Sequence, residues 1–492
     1  MRTLPRNWFV LALVVTLCSF GGATARADAQ TDPPYQTDFP PDEFKARWAR
    51  IYDQIGDKAV AVVQGVGLTP GFMFPRQHNE FYYLCGVETA GAYLMLDGRT
   101  RTAVLYLPKR NARLEASEGR VLSADDVELV KRLTGVDQVQ PVDAMRENWP
   151  AAPATRVVIY TPFAPAENYA VSRHEAVLAA RAQTADYWDQ RPPEELNFVH
   201  LLQTRLNAEV RDLTPILDEL RSVKSPREID LIRRASQIAA LGIVEAMKAT
   251  EPGVFEYHLD AAARYVFLAN GARLDGYRSI TAAGMANIIN GHYYRNTSEL
   301  KAGDLVLMDY APDFRYYTSD VGRMWPVNGT FTTEQRALLG IILEYRNAII
   351  SRIRPGVSSK QVMDEAATAM DAVFARWTFA RPEHEQAARE MVRTGGGVFS
   401  HPVGMAVHDD GGRPNPLRAG QVFSVDPQLW IKDGAGQNLL YMRYEDVGVV
   451  TETGFENFTA FMPTTLEELE RTVRLKGIVQ DYPPSAMPWK TP

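Results

Sequence analysis

Cysteine is almost missing from this chain: there are two in 492 residues, Cys18 and Cys85. So few thiols cannot build a disulfide scaffold, and stability must come from buried cores. Positive charge is also in short supply. Fifty-three Lys and Arg against 60 Asp and Glu leave a net −7, and phosphate binding needs clustered cations, so nucleic acid is excluded as the main partner. No apolar run reaches the roughly twenty residues that span a bilayer. Internal repeats and low-complexity tracts are absent as well. What is there is ordinary for a folded protein, with 46% apolar and 23% charged residues. The length suits two large domains, each able to bury a core without a metal or cystine staple.

The first residues read as an export signal. Arg2 and Arg6 precede an apolar stretch from Trp8 to Phe20, and small residues follow up to Ala25-Arg26-Ala27. A basic start, a short apolar run and an A-x-A site are the parts of a secretory signal. Cys18 follows Leu17 rather than a small residue, which favours soluble release over a lipid anchor. Cleavage after Ala27 removes three arginines and no acid, taking the net charge from −7 to −10 and leaving Cys85 as the only thiol. The destination is periplasmic or secreted. Residues 28–43, with two Pro-Pro pairs, read as an extended leader.

Residues 44–206 alternate short strands with helical segments, as in an α/β domain. Ala59–Val63 is a strand. Ala92–Leu96 and Thr102–Leu107 form a hairpin across Asp97-Gly98, Val157–Tyr160 is a buried strand, and Glu175–Thr184 is helical. A linker, 207–224, leads to a second unit, 225–465. It opens at Ser225-Pro-Arg-Glu228, a capping box with proline at the first helical position. Ile229, Ile232, Ala235, Ala239 and Ile243 then recur at helical spacing up to about Thr250. Residues 466–492 form a tail with one short helix, Leu466–Leu475.

The second unit places acids where they are costly. Asp309 closes the apolar strand from Asp304, and Asp320 stands just before Val321. Asp426 closes Val422-Phe-Ser-Val, and Glu445 precedes Asp446-Val-Gly-Val-Val450. Buried carboxylates need a partner or a cation. Each acid taken singly could cap a turn or pair with an arginine, but few cations lie within these segments. His401 and His408 flank the apolar stretch between them. Oxygen-rich ligation with one imidazole suits Mn²⁺ or Zn²⁺, and five ligands exceed one tetrahedral ion, so two ions sharing carboxylates is the better count. His292, in Asn290-Gly-His-Tyr, and His408 join the site if these loops fold together. His78, His174, His200, His258 and His384 have no such context and read as structural.

These residues resemble a known family. Lys224-Ser-Pro-Arg-Glu228, Gly276-Tyr-Arg-Ser-Ile280, Asn290-Gly-His-Tyr293, Gly303–Asp309, Ser319–Arg323, Ser400-His-Pro-Val-Gly404, Val407-His-Asp409 and Arg443-Tyr-Glu-Asp446 are similar, in order and spacing, to the creatinase/aminopeptidase metallopeptidases of "pita-bread" fold. That family includes Xaa-Pro aminopeptidase and prolidase. Upstream, Gln77–Val87 resembles the signature of the aminopeptidase P N-terminal domain, which points to the prolyl branch.

The resemblance implies an α/β (α+β) protein, an N-terminal creatinase-like domain followed by a pita-bread catalytic domain. It implies Asp309, Asp320, His401, Asp426 and Glu445 as ligands of two divalent ions, with Asp320 and Glu445 bridging. Mn²⁺ is the first expectation for the metal, with Zn²⁺ and Co²⁺ as alternatives. His292 and His408 fall where the family binds substrate and stabilises the tetrahedral intermediate. Arg443, two residues before Glu445, would hold the acids in place, and Asp426 or a neighbouring carboxylate would carry the proton. Proline-containing peptides are the implied substrates, and a homodimer or higher homo-oligomer the implied assembly. The family's fourth ligand is glutamate, in T-x-E-P-G. Here it is Ser424-Val-Asp426-Pro-Gln428, while Gly322 replaces a threonine and Trp430 a tyrosine. Two other readings stay open: a prolidase-like dipeptidase, and a non-catalytic relative that binds peptide or metal.

Overall fold

The computed structural model of the chain describes residues 35–69, 71, 73–148, 158–167, 172–409 and 415–482, in one compact unit that begins at Tyr35. The expected signal segment lies outside the described residues. Within the expected leader, a helix already starts at Pro41 (Pro41–Ile55).

The N-terminal part is built on a six-stranded mixed sheet. Its strands are β1 (Ala59–Gln64), β2 (Tyr93–Asp97), β3 (Thr102–Leu107), β4 (Gln138–Pro141), β5 (Val158–Thr161) and β6 (Glu209–Asp212), in the order β4-β3-β2-β1-β5-β6. The expected hairpin is β2–β3, antiparallel with Tyr93 opposite Tyr106. The alternation of β1 sorts its side chains between two faces. Ala59, Ala61 and Val63 join one core, and Val60 and Val62 join the smaller core on the other face. The first core also holds Phe44, Trp48 and Ile51 of the first helix, and it continues into Ile232, Val422 and Val447 of the second half. Apolar packing therefore joins the two halves.

The segment 207–224, expected as a linker, is instead structured. β6 extends the sheet beside β5, and a helix, Thr214–Ser222, follows it. The strand Glu-Val-Arg-Asp has too little apolar alternation to be recognised, yet its backbone completes the sheet edge.

The second half opens as expected. In the helix Pro226–Lys248 the Ser225 hydroxyl accepts from the Glu228 N–H, and the Glu228 carboxylate accepts from the Ser225 N–H. Its apolar face packs on the helix Glu256–Ala269, where Gly242 lets Phe267 approach. Next come β7 (Leu274–Asp275), β8 (Ile280–Ala283), β9 (Leu305–Asp309), β10 (Pro312–Asp313) and β11 (Gly322–Pro326). β9 is the centre of the antiparallel sheet β11-β9-β8, and its last residue, Asp309, faces Gly322 on one side and Ile280 on the other. After the helices Thr333–Ile350, Ser359–Phe374 and Pro382–Thr394 come β12 (Val422–Val425), β13 (Gln428–Lys432), β14 (Asn438–Arg443), β15 (Asp446–Val450) and β16 (Phe455–Asn457). β12 pairs with β15, and β13 pairs with β14, so that Gln428 faces Arg443. The core beneath these strands includes fully buried Trp325, Tyr345 and Tyr441; burying each large apolar side chain contributes roughly 1.5–3 kcal/mol. The helix Leu466–Val473 closes this half, with its own capping box at Thr465 and Glu468.

Candidate metal centre

Each candidate acid sits where a strand ends. Asp309 is the last residue of β9, Asp320 comes two residues before β11, Asp426 directly follows β12, and Glu445 lies in the short connection from β14 to β15. Strand ends from three sheets thus meet at one place. Asp309, Asp320, Asp426, His401 and Arg443 line a single cleft of about 920 Å³, together with His292 and His408. Glu445 joins them from below through Arg443 and is fully buried.

Contacts among these residues are close. Tyr277 donates its hydroxyl to Asp309 Oδ1 at 2.5 Å and stands 3.2 Å from Asp320 Oδ1. His401 Nε2 lies 3.2 Å from Asp320 Oδ2. Its Nδ1 is 3.0 Å from the Pro402 carbonyl, which can only accept, so Nδ1 carries the hydrogen and Nε2 faces the acids. Arg443 contacts three of the four acids. It reaches Asp309 Oδ2 at 2.6 Å, grips Asp426 with Nε and Nη2 at 2.9 and 2.8 Å, and pairs with Glu445.

Four buried carboxylates nevertheless face one guanidinium and one imidazole. Burial pushes the Asp309 carboxyl up to about 7 against the pull of Arg443, with the Asp320 charge adding to the rise. Burial also raises Asp426 and Glu445, and Arg443 only partly offsets it. Asp320 goes the other way: burial would raise it, but the hydrogen bond and charge of His401, with Arg443, hold it low. The Glu445 Oε1 atom is buried without a hydrogen-bond partner. Donor atoms of Asp320, His401 and Glu445 lie within 4.8 Å of one another. Excess buried negative charge, an orphaned carboxylate oxygen and an imidazole Nε2 beside Asp320 together fit a divalent cation.

The three departures have visible consequences. Asp426, with one methylene fewer than glutamate, accepts from the Gln428 amide. Gly322 leaves room for the acids, since a Cβ there would lie 3.1 Å from Glu445 Oε2. Trp430 stacks on Tyr441 with ring centroids 3.8 Å apart and also lines the cleft.

Several lining residues gave no signal in the sequence. Ser172, His174 and Glu175 come from the N-terminal half. His174, read as structural, is thus at the cleft. His258 does have a structural place, its Nδ1 accepting from the Phe255 N–H, and His384 pairs with Glu334. Tyr277 was seen only as part of a motif. The arginines missing from the acid segments come partly from elsewhere, as Arg323 and Arg346 both pair with Asp446.

Known proteins share this organisation. Residues 230–452 match metallopeptidase family M24, and residues 44–160 match the aminopeptidase P N-terminal domain. The Xaa-Pro aminopeptidase of Escherichia coli K12 is 31% identical over 450 residues, covering 87% of this chain and 96% of that protein. That of Haemophilus influenzae is 28% identical, covering 89% and 98%. The solved structure of E. coli aminopeptidase P with the inhibitor Pro-Leu superposes with a TM-score of 0.70 at 27% identity, over 89% of this chain and 99% of that one. Proline aminopeptidase P II from Yersinia pestis gives 0.69 at 29% identity. The expected architecture, an α/β N-terminal domain followed by a metallopeptidase domain, holds. Divalent metal use comes with the family and agrees with the donor set. The chain belongs to metallopeptidase family M24, with an aminopeptidase P N-terminal domain ahead of it, and is a peptidase built like the Xaa-Pro aminopeptidases.

Proposed function

We propose that the chain is an exported aminopeptidase that removes the N-terminal residue preceding proline, with two divalent ions held by Asp309, Asp320, His401, Asp426 and Glu445. The observation that carries this reading is the convergence of Asp309, Asp320, His401 and Asp426 with His292 and His408 on one cleft, with Glu445 joined to them through Arg443, in a chain similar along most of its length to Xaa-Pro aminopeptidases. Asp320 and Glu445, whose donor atoms come close together beside His401, are the proposed bridging pair. Mn²⁺ is the proposed metal, with Zn²⁺ and Co²⁺ as alternatives. When bound, the ions supply Lewis acidity and a water nucleophile near neutral pH.

The chain's own residues do the rest. Asp426 takes the proton of the attacking water on a carboxylate oxygen and passes it toward the leaving nitrogen. His292 donates a hydrogen bond to the oxyanion, and His408 helps hold the substrate in the cleft. Arg443 keeps Asp309, Asp426 and Glu445 in register through four hydrogen bonds from its three nitrogens. The Xaa-Pro bond has no amide hydrogen, so the cleft must recognise the pyrrolidine ring instead, and the Tyr277, Tyr293 and Trp430 rings lining it offer apolar faces. Export rests on the basic, apolar and small-residue order of the first 27 residues. A homo-oligomer, with a dimer as its smallest form, is the proposed assembly, read out by sedimentation equilibrium.

The test compares an Ala-Pro-Xaa tripeptide with an Ala-Pro dipeptide, using protein stripped of metal and resupplied with Mn²⁺, Co²⁺ or Zn²⁺. Metal-dependent release of alanine from the tripeptide, abolished in Asp320→Ala, is the expected result. Cleavage of the dipeptide alone would assign a prolidase. Two bound ions with no cleavage of either peptide would show a binding protein and overturn the proposal.

A further inference from the structure

One turn of helix from the N-terminal domain stands at the edge of the cleft, at the start of the helix Arg173–Ala185. Ser172 occupies the N-cap position but makes no capping bond to its own helix. Its Oγ instead accepts from the His408 backbone N–H at 3.1 Å. One turn on, Glu175 Oε1 lies 3.1 Å from His408 Nδ1. An ionised carboxylate can only accept a hydrogen bond, so Nδ1 carries the hydrogen and Nε2 is the ring atom left for the cleft.

The same turn is anchored behind. Arg173 pairs with Glu80 and Asp218. Glu80 and Glu167 both lie 3.1 Å from Arg221, which also pairs with Asp409, and Lys224 Nζ lies 2.9 Å from Asp409 Oδ2. His408 is therefore held at its backbone and ring by Ser172 and Glu175, while its neighbour Asp409 is clamped by a buried ionic network. Such a frame fixes an imidazole within the narrow tolerance that catalysis requires.

We propose that Glu175 is a positioning residue for His408: its carboxylate fixes the tautomer with the hydrogen on Nδ1 and presents Nε2 to the substrate. The N-terminal domain thereby completes the catalytic site rather than merely flanking it. This inference rests on the reading of His408 as a substrate-facing group, and its test is separable from that reading.

Two measurements decide it, both on the full chain. In the first, Glu175→Ala lowers kcat about 10- to 100-fold, as a misplaced catalytic group does, with KM little changed. Glu175→Gln recovers most of the loss, because its amide oxygen still accepts from Nδ1–H. Adding Glu175→Ala to His408→Ala costs nothing further, since one residue acts through the other. A rise in KM at unchanged kcat, or full additivity with His408→Ala, would instead make Glu175 a direct substrate contact and overturn the proposal. In the second, the ring nitrogens of ¹⁵N-histidine-labelled protein are recorded about two units above the ordinary imidazole pKa, with or without diamagnetic Zn²⁺. The His408 signals are identified by their loss in His408→Asn. Wild type shows the Nδ1–H tautomer, and Glu175→Ala shifts it toward Nε2–H, the form that imidazole prefers in water. An unchanged tautomer in Glu175→Ala refutes the inference whether or not any peptide is cleaved. Absence of cleavage together with a tautomer shift would instead count against the peptidase reading alone.

Discussion

Replacing Asp409 by asparagine keeps the shape of a buried side chain and removes only its charge. The carboxylate is 1% exposed and lies between Arg221 and Lys224, themselves 2% and 1% exposed. Arg221 would keep Glu80 and Glu167, each at 3.1 Å, whereas Lys224 makes no other ion pair among the described residues. The variant therefore strands one buried ammonium. Breaking a buried pair costs about 3–5 kcal/mol, and the remaining partners of Arg221 place this case at the lower end.

An independent route gives a similar figure. Burial alone would raise the Asp409 carboxyl, but Arg221 and then Lys224 hold it down at about 2. Against an unfolded value near 3.9, that depression is worth roughly 2–3 kcal/mol. Because the folded value is the lower one, this stability is fully present above about pH 4 and fades as pH falls toward 2. The expected loss in Asp409→Asn is thus about 3 kcal/mol at neutral pH, a large share of a typical 5–15 kcal/mol. Urea unfolding followed by tryptophan fluorescence measures it as a lower midpoint at unchanged slope. Adding Lys224→Met removes the stranded cation and recovers part of the loss. The gap between wild type and Asp409→Asn narrows below about pH 4. A loss under about 1 kcal/mol, the scale of an exposed pair, or no recovery with Lys224→Met, would refute the reasoning.

Three further perturbations follow from single contacts. Ser225→Ala removes the hydroxyl side of the capping box at the start of Pro226–Lys248, and the same urea assay should show a loss of about 1 kcal/mol. Tyr277→Phe removes the hydroxyl that stands 2.5 Å from Asp309 and 3.2 Å from Asp320; titration calorimetry should show Mn²⁺ affinity falling about 10-fold. Asp426→Glu drives a longer side chain against the Gln428 amide, so it should weaken Mn²⁺ binding by about 10-fold. Adding Gln428→Gly should restore it, and a gain from the single change would show that Gln428 is irrelevant to the site.

The acids were legible because each breaks a local rule. An apolar strand that ends in aspartate, as at Asp309 and Asp426, places charge where burial is costly, and that conflict is visible without a structure. Arg443 was legible for a similar reason, from its spacing to Glu445. Glu175 and Ser172 break no rule. A serine before a helix and a glutamate in its first turn are what any helix carries. Nothing local marks them as belonging to a site whose acids begin more than a hundred residues later. Lys224 and Asp409 suffer the same limit, as each sits inside a recognised motif while their pairing spans 185 positions. β6 was missed for a different reason. An edge strand is held chiefly by its backbone, and Glu209-Val-Arg-Asp212 carries little side-chain pattern to read.

Two of the departures from the family pattern, Asp426 and Trp430, are better understood as one change than as two. Aspartate at 426, where the resemblance expects glutamate, withdraws the carboxylate by about one methylene, and Gln428 brings an amide donor to Oδ2. Gln428 can do so only because Gly397 has no side chain. A Cβ at 397 would lie 2.2 Å from the Asp426 carbonyl oxygen and 2.7 Å from Gln428 Cγ, and the φ of +80° there disfavours any other residue. Trp430 Nε1 lies 3.4 Å from the Gln428 oxygen, and its ring is fixed against Tyr441. Amide, glycine and indole thus form a cradle that fits a short carboxylate and would crowd a long one. A site drifting toward loss of function would leave its shortened acid loose, whereas here Arg443 grips both oxygens of Asp426 and Gln428 adds a further donor. That degree of fixation is what a metal ligand or proton carrier requires, and it favours catalysis over the non-catalytic alternative that the aspartate first suggested.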